Sequence, residues 1–488
     1  MPFRKGQIIE LKIDKLMFGG SGIGVYENLK VFVDKVVPGD LVQVTLKKIK
    51  KNYAEAKLEK MIKPSSLRIK SKCRHFGVCG GCSWQFLDYQ KQLEFKQSQV
   101  VEALGHIGFF QNAEDYVENI IGCEEPWFYR NKMEFTFGDT LERKFALGLH
   151  ESGRIFDVVD IECCYLQSAL SNQILGAVRK FAQDWQLNFF RMKDNQGLLR
   201  NLVIREGKFR NEVMVNLVVA ENFKYEKMFV ELMRSVDRKI CSIYLTKISA
   251  KRGQETSYEE KLLWGKEWIE EEMSVGNVEH GISNIEYRFK ISPKSFFQPN
   301  SRQAQRLYSK VLEFADLKGE EIVYDLYCGT GTIGIVLSKF CRRVYGLEIV
   351  EEAINDAKAN AILNQAGNIE FLCGDAGVLL SSLQDKPDVI VVDPPRAGLS
   401  PKAMENILKI RTERIMEGGL RVEKEKNNPV HNSQGFKLIY VSCNPSTLAR
   451  DLKIFCENGF KLIKIQPVDM FPHTYHIENV AVLEGERE

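Results

Sequence analysis

From Ser292 onward the chain alternates short apolar runs rich in β-branched residues (IVYDLYC, RVYGLEI, NIEFLC, DVIVVD and KLIYVSC) with longer polar stretches. A strand that is apolar on both faces must be covered on both. Helices between successive strands supply that cover, so the pattern predicts an α/β domain built on a parallel sheet. Ligands of such sheets collect at the carboxyl ends of the strands. Residues with reactive or charged side chains stand there, among them Glu348, Asp393 and Cys443.

A chain of 488 residues exceeds what one hydrophobic core usually organises. Residues 1–62 contain alternating runs, QIIELKI, VYENLKVFVD and LVQVTLKKIKKNYAEAKLEKMI, separated by FGGSGIG and VPGD turns, the pattern of a small antiparallel barrel. Residues 63–84 and 118–290 read as a central α+β domain with an amphipathic helix near 166–185. Residues 85–117, helical to 107, interrupt it in sequence and are grouped with 291–488. The polar stretch 411–436 reads as a mobile loop or insertion.

No run of eighteen apolar residues is present, and the N-terminus lacks an apolar secretory core, so a cytoplasmic location with no membrane partner is expected. In that reducing compartment twelve cysteines are free thiols, metal or cluster ligands, or catalytic groups. The net charge of +3 is unevenly placed: residues 1–72 hold 16 Lys/Arg against 7 Asp/Glu. Such a basic module suits a polyanion, and a solvated lysine face is the alternative.

Asp325-Leu-Tyr-Cys-Gly-Thr-Gly-Thr-Ile-Gly334 follows a strand and opens a helix, so Gly329, Gly331 and Gly334 let the backbone turn beside a ligand. Glu348, at the end of the next strand, is placed to accept hydrogen bonds from a ribose diol, and Asp375 lies within reach of an adenine edge. A dinucleotide site is the competing reading. An acid at the end of the first strand would repel a pyrophosphate and favours a ligand carrying amine or sulfonium charge, which S-adenosylmethionine has. Asp393-Pro-Pro-Arg396 ends the fourth strand. Methyltransferases that act on adenine amines usually carry an aromatic where Arg396 stands, so the target is not expected to be an amine.

Cys443 sits at the Ser-Cys-Asn-Pro boundary where a helix begins, and a helix dipole there is expected to lower its thiol pKa. A buried structural cysteine is the alternative. A thiolate beside a sulfonium methyl donor suits methylation of a pyrimidine carbon. Addition at C6 of uracil turns C5 into an enolate carbon that can take the methyl group, and a base must then remove the C5 proton. Glu478 is the favoured base, His473 the second choice, and His476 a loop residue.

Cys73-x5-Cys79-x2-Cys82 supplies three thiolates at ligand spacing, and a fourth ligand must come from elsewhere, with Cys163 and Cys164 as candidates.

Ser295-Phe-Phe-Gln-Pro-Asn300, DLYCGTGTIG, DPPRAG, YVSCNPSTLARDL and DMFPHTYHIE together resemble the RNA uracil-5-methyltransferase family, in particular its 23S ribosomal RNA branch. The resemblance implies three parts: an OB-like TRAM barrel, a central domain with a [4Fe–4S] cluster, and a Rossmann-like class I methyltransferase domain. It implies Cys443 as nucleophile, Glu478 as base, and Gln298, Tyr327, Gly329, Thr332, Glu348, Asp375 and Asp393 around S-adenosylmethionine. Thr332 stands where some relatives carry Asn. The resemblance further implies Cys164 as the fourth cluster ligand beside Cys73, Cys79 and Cys82, with zinc as the alternative metal, and Phe296 near the target base. Arg130 and Lys132, with Arg200 and Arg205, are expected phosphate contacts. The expected product is 5-methyluridine in 23S RNA, made by a monomer. A transfer-RNA uracil methyltransferase and a non-catalytic RNA-binding or assembly factor are the rivals.

Overall fold

The computed structural model describes residues 3–139, 145–154, 156–191, 193–249, 256–277, 282–424 and 436–485. At the N-terminus six strands form one sheet around the buried side chains of Ile9, Leu11, Val31, Val42, Val44 and Leu46. Its pairings are antiparallel except one: Leu29–Val33 runs parallel to Tyr53–Lys63, which departs from the all-antiparallel expectation.

The central domain carries a seven-stranded sheet. Helices Ala169–Asp184 and Glu226–Val236 pack on one face, burying Ile174, Val178, Phe229 and Met233. From the other face Met214, the cross-strand partner of Arg205, joins the core of the C-terminal domain.

The C-terminal sheet has seven strands in the order Ile369–Cys373, Arg343–Glu348, Ile322–Leu326, Val389–Val392, Lys437–Ser442, Glu478–Gly485, Phe460–Val468. Neighbouring strands up to Lys437–Ser442 are parallel. Glu478–Gly485 is antiparallel to both its neighbours, so the sheet is mixed rather than wholly parallel. The reversal follows from the short connection 469–477, which returns the chain directly without a crossover helix.

Packing shifts three sequence boundaries. The hairpin of Ile269–Asn277 and Ile282–Ile291 buries Ile269, Met273, Tyr287 and Phe289 in the same core as Leu307 and Val323, so it belongs with the C-terminal sheet and not with the central domain. Val117 and Ile121 bridge to Ile465 and Val468, which extends the edge of that sheet into residues assigned to the central domain. Pro401–Lys424 is one helix, so the first half of the expected 411–436 loop is helical; residues 425–435 lie outside the described residues.

Helix Tyr89–His106 packs on the C-terminal domain through Val100 and Leu104. It is fastened by Lys96 and Asp469, which are both fully buried and 2.6 Å apart. The barrel reaches the same segment: Phe18 meets Tyr475 edge-on at 6.0 Å, and a side chain at Gly20 would meet the Tyr475 ring at 2.9 Å.

Candidate active site

The site lies at the carboxyl ends of the C-terminal strands. After Leu326 the chain turns through left-handed backbone at Tyr327 (φ 61°), Gly329 (54°) and Gly331 (77°) before helix Thr332–Ser338. A bulky residue such as Tyr327 in that region is strained, and such strain concentrates at ligand sites. Gly334 is required for a different reason: a Cβ there would lie 2.9 Å from Asp325 Oδ2.

Asp325 does not face outward as the sequence suggested. It is wholly buried beneath the loop, where Oδ2 accepts from the Gly334 N–H at 2.8 Å while Oδ1 has no partner. Burial, reinforced by Asp393 and Glu348, pushes its pKa up to about 8. Glu348 accepts from the Gly329 N–H at 3.1 Å, tying the second strand end to the glycine loop. Asp393 is partly exposed at the fourth strand end, and the surrounding protein pushes its carboxyl up to about 6. These acids disfavour one another's charge, which protonation or a cationic ligand relieves. A sulfonium with an ammonium group fits this donor set, and a pyrophosphate does not.

Thr332 is buried, and its hydroxyl lies 3.4 Å from that of Thr330, which donates to the Phe296 carbonyl at 3.3 Å. Gln298 is buried, with its carbonyl accepting from Asn131 Nδ2 at 2.8 Å. Phe296 is 64% exposed, an aromatic face left open beside the loop. Asp375 is exposed and caps the turn Ala376–Leu379 by accepting from the Val378 N–H at 3.1 Å.

Cys443 follows strand Lys437–Ser442, and Asn444 caps the next helix by accepting from the Ser446 N–H at 3.0 Å, with Pro445 in the first turn. In the antiparallel pairing Ser442 stands opposite Asn479, and Glu478 immediately precedes Asn479. Cys443 and Glu478 therefore emerge side by side from neighbouring strands running in opposite directions. The expected lowering of the Cys443 pKa is overturned. Burial first, then the charges of Glu478 and Asp393, push the thiol up to about 11, with Arg396 opposing them. Burial and Asp393 likewise hold the Glu478 carboxyl well above its usual range.

Sequence reasoning missed Tyr308. It is buried on helix Ser301–Ala315, and its phenol is raised by burial and by Asp393, Asp325 and Glu478, so it lies among all three acids. In the sequence it reads as an ordinary core aromatic of an amphipathic helix. His473 does not join the site. It stacks on Trp127 at 3.6 Å, its ring nitrogen Nδ1 is 3.2 Å from Gln92 Nε2, and burial lowers its pKa to about 3. His476 is nearer, within the field of Arg396, and burial lowers it to about 4.

Away from this site, Cys73, Cys79, Cys82, Cys163 and Cys164 line one small cavity. Cys79 and Cys82 both feel the charge of Cys164, which in turn feels Cys73, so these four thiols face one another. Arg130, expected on an RNA surface, instead lies beside Cys79, Cys82 and Cys164, with its buried Nε lacking an acceptor. Among the described residues no three Cys, His, Asp or Glu side chains converge closely enough for a single metal ion.

Strand order, the glycine turn and the acid-bearing strand ends define a class I methyltransferase domain. The sequence profile described as tRNA (Uracil-5-)-methyltransferase matches residues 209–417, and that of the TRAM domain matches residues 2–58. An uncharacterized RNA methyltransferase of Caldanaerobacter subterraneus is 38% identical, over 98% of this chain and 99% of its own length. Another, from Bacteroides thetaiotaomicron, is 38% identical over 95% and 99%. The crystal structure of the Pyrococcus abyssi tRNA (uracil-54, C5)-methyltransferase with S-adenosyl-L-homocysteine is 30% identical. It covers 97% of this chain and 100% of that one with a TM-score of 0.71. The chain belongs to the S-adenosylmethionine-dependent RNA (uracil-5-)-methyltransferase family, with an N-terminal TRAM domain. No helix among the described residues is long and apolar enough to cross a membrane.

Proposed function

We propose that the chain methylates C5 of a uridine in RNA through a covalent adduct of Cys443 with C6. The observation that carries this reading is the placement of Cys443 and Glu478 on adjacent antiparallel strand ends beside Asp393. S-adenosylmethionine supplies an electrophilic methyl group on a sulfonium, and Gln298, Tyr327, Gly329, Thr332, Glu348, Asp375 and Asp393 would hold it. The Cys443 thiol passes its proton to solvent and its sulfur adds to C6, moving the ring electrons to C5 and O4. The C5 carbon takes the methyl group as the methyl–sulfur bond of the donor breaks, leaving S-adenosylhomocysteine. Glu478, as carboxylate, then removes the C5 proton, the C5–C6 double bond re-forms, and the C6–S bond breaks to release Cys443. In the ligand-free protein burial and the neighbouring acids favour the protonated forms of Cys443 and Glu478, and the positive charge of a bound donor shifts both toward ionisation. The uridine leaves its stack to reach the thiol, and Phe296 offers a face for it.

Cys73, Cys79, Cys82 and Cys164 would hold a [4Fe–4S] cluster. The cluster would staple the segment before Trp84 to the central sheet rather than take part in the reaction.

The substrate in this reading is 23S ribosomal RNA, on the joint presence of a TRAM barrel and the cysteine set, and the enzyme acts in the cytoplasm. A transfer-RNA substrate is the second reading. The Pyrococcus enzyme, named for uracil 54 of tRNA, matches over 97% of this chain, which weakens those modules as discriminators. Mass mapping of ribosomal and transfer RNA from cells with and without the gene decides between them. Loss of a methyl group from one rRNA uridine supports the first reading, loss from tRNA the second, and loss from neither refutes both. A covalent complex with 5-fluorouridine RNA that survives denaturation excludes a non-catalytic RNA-binding factor.

A further inference from the structure

Lys132 and Arg205 are direct cross-strand partners in the antiparallel pairing of Lys132–Gly138 with Leu199–Gly207, so both side chains leave the same face of the central sheet. Like charges directly opposite destabilise a sheet. Arg205 is 4% exposed, and its buried Nε has no hydrogen-bond acceptor among the described residues. Neither residue forms an ion pair with any described residue, although a buried cation lacking a counter-charge is costly. Neighbouring carboxylates are engaged elsewhere. Asp356 accepts from the hydroxyls of Ser295 at 2.5 Å and Ser292 at 3.2 Å, and Glu260 faces Lys294 at 3.8 Å. Glu134, two residues along the strand from Lys132, is exposed; its charge reaches both cations, but it forms no ion pair with either among the described residues. Burial pulls the Arg205 guanidinium down to about 10, which leaves it charged at neutral pH.

The two cations are fixed to the active-site loop. Asn131, next to Lys132, donates from Nδ2 to the Gln298 carbonyl and to Ser301 Oγ, each at 2.8 Å, and its own N–H donates to the Pro299 carbonyl at 2.9 Å. Ser295, hydrogen-bonded to Asp356 near Arg205, directly precedes the exposed Phe296.

We propose that Lys132 and Arg205 form a phosphate site that grips one backbone phosphodiester of the RNA beside the nucleotide presented to Cys443. The inference rests on the RNA-methylating reading above. A uridine can be held out of its stack only if the flanking backbone is anchored, and a rigid two-cation cradle on a sheet does this without reading the base. An anionic ligand also supplies the counter-charge that the fold withholds.

The test uses the full-length chain and an RNA oligonucleotide that the wild-type protein methylates, with Lys132→Met, Arg205→Met and the double variant. RNA affinity is followed against KCl concentration, S-adenosylhomocysteine affinity by calorimetry, and stability by thermal unfolding. In the double variant RNA affinity drops at least tenfold, and the salt slope falls by about 0.7 for the one phosphate lost. S-adenosylhomocysteine binding stays within twofold, and Tm is unchanged or higher because a buried repulsion is gone. A neutral methylphosphonate at one linkage beside the target weakens wild type but not the double variant. An unchanged salt slope overturns the proposal. So does loss of S-adenosylhomocysteine affinity in place of RNA affinity, which would assign the cations to the donor's carboxylate. If Arg205→Met unfolds, the partly exposed Lys132→Met gives the same readouts. Wild-type protein that transfers methyl to no RNA refutes the parent reading; methyl transfer with an unchanged slope refutes only the phosphate site.

Discussion

Asn479 donates from Nδ2 to the carbonyl of Ser442 at 3.2 Å, across one of the two antiparallel pairings in the C-terminal sheet. This bond fixes the register in which Glu478 begins its strand at the level where Cys443 leaves its own. Reversing one strand brings a strand start to the end of the sheet where the other strands finish, which places a base beside a nucleophile.

Replacing Cys443 by serine or alanine lowers methyl transfer by at least about 10³-fold. Binding of S-adenosylhomocysteine remains near wild type, because the donor contacts lie on other strands. Labelled-methyl incorporation into RNA and calorimetry check the two halves. Full turnover by Cys443→Ser would remove the covalent pathway.

Glu478→Gln separates addition from release. The neutral amide cannot take the C5 proton, so a methylated covalent complex accumulates on natural RNA and is seen as a shifted band on denaturing gels. Turnover falls by about 10²–10⁴-fold. Fast turnover with no accumulated complex would assign the base elsewhere.

Asp393→Asn stabilises the ligand-free protein at pH 8 while weakening donor binding. The folded pKa of Asp393, about 6, lies above its ordinary 3.8. Its contribution is therefore fully present below about pH 4 and is lost as pH rises through 6. The variant removes that loss, so its Tm advantage grows between about pH 4 and 7 and is level above that, measured by thermal unfolding across pH. A Tm advantage that does not vary with pH would show that Asp393 is not the titrating group.

Alkylation of Cys443 by iodoacetamide, followed by peptide mass spectrometry, rises with pH toward a midpoint near 11 in the ligand-free protein. Donor binding lowers this midpoint, since a sulfonium beside Asp393 offsets the carboxylates that raise the thiol. A midpoint below 8 without donor would restore the helix-dipole expectation.

Lys96→Met leaves Asp469 buried without its cation and costs about 3–5 kcal/mol in denaturant unfolding. The double variant Lys96→Met, Asp469→Leu recovers much of that loss. Equal losses in single and double variants would show that the ion pair is not the source.

The α/β domain, its glycine turn and the residues at its strand ends were legible in the sequence because they depend on local patterns: β-branched runs, glycines after a strand, acids at fixed offsets. Cys443 was legible for the same reason, standing where an apolar run meets Asn-Pro. Its ionisation was not. The helix dipole is a local feature, whereas the burial and the charges of Glu478 and Asp393 that outweigh it come from distant parts of the chain. Tyr308 and the membership of the 269–291 hairpin were hidden likewise, since an apolar stripe does not name the surface it meets.

The sequence by itself determined which side chains are available and that strands would present them at one edge, through short-range periodicity and turn chemistry. Only the tertiary structure decided which of them share a field. It reversed the last strand to set Glu478 beside Cys443 and stacked His473 away on Trp127. It also paired Lys132 with Arg205 and gathered Cys164 with three thiols from residues 73–82. Burial and Coulomb interactions depend on distance in space, and the chain fixes those distances only once its cores have packed.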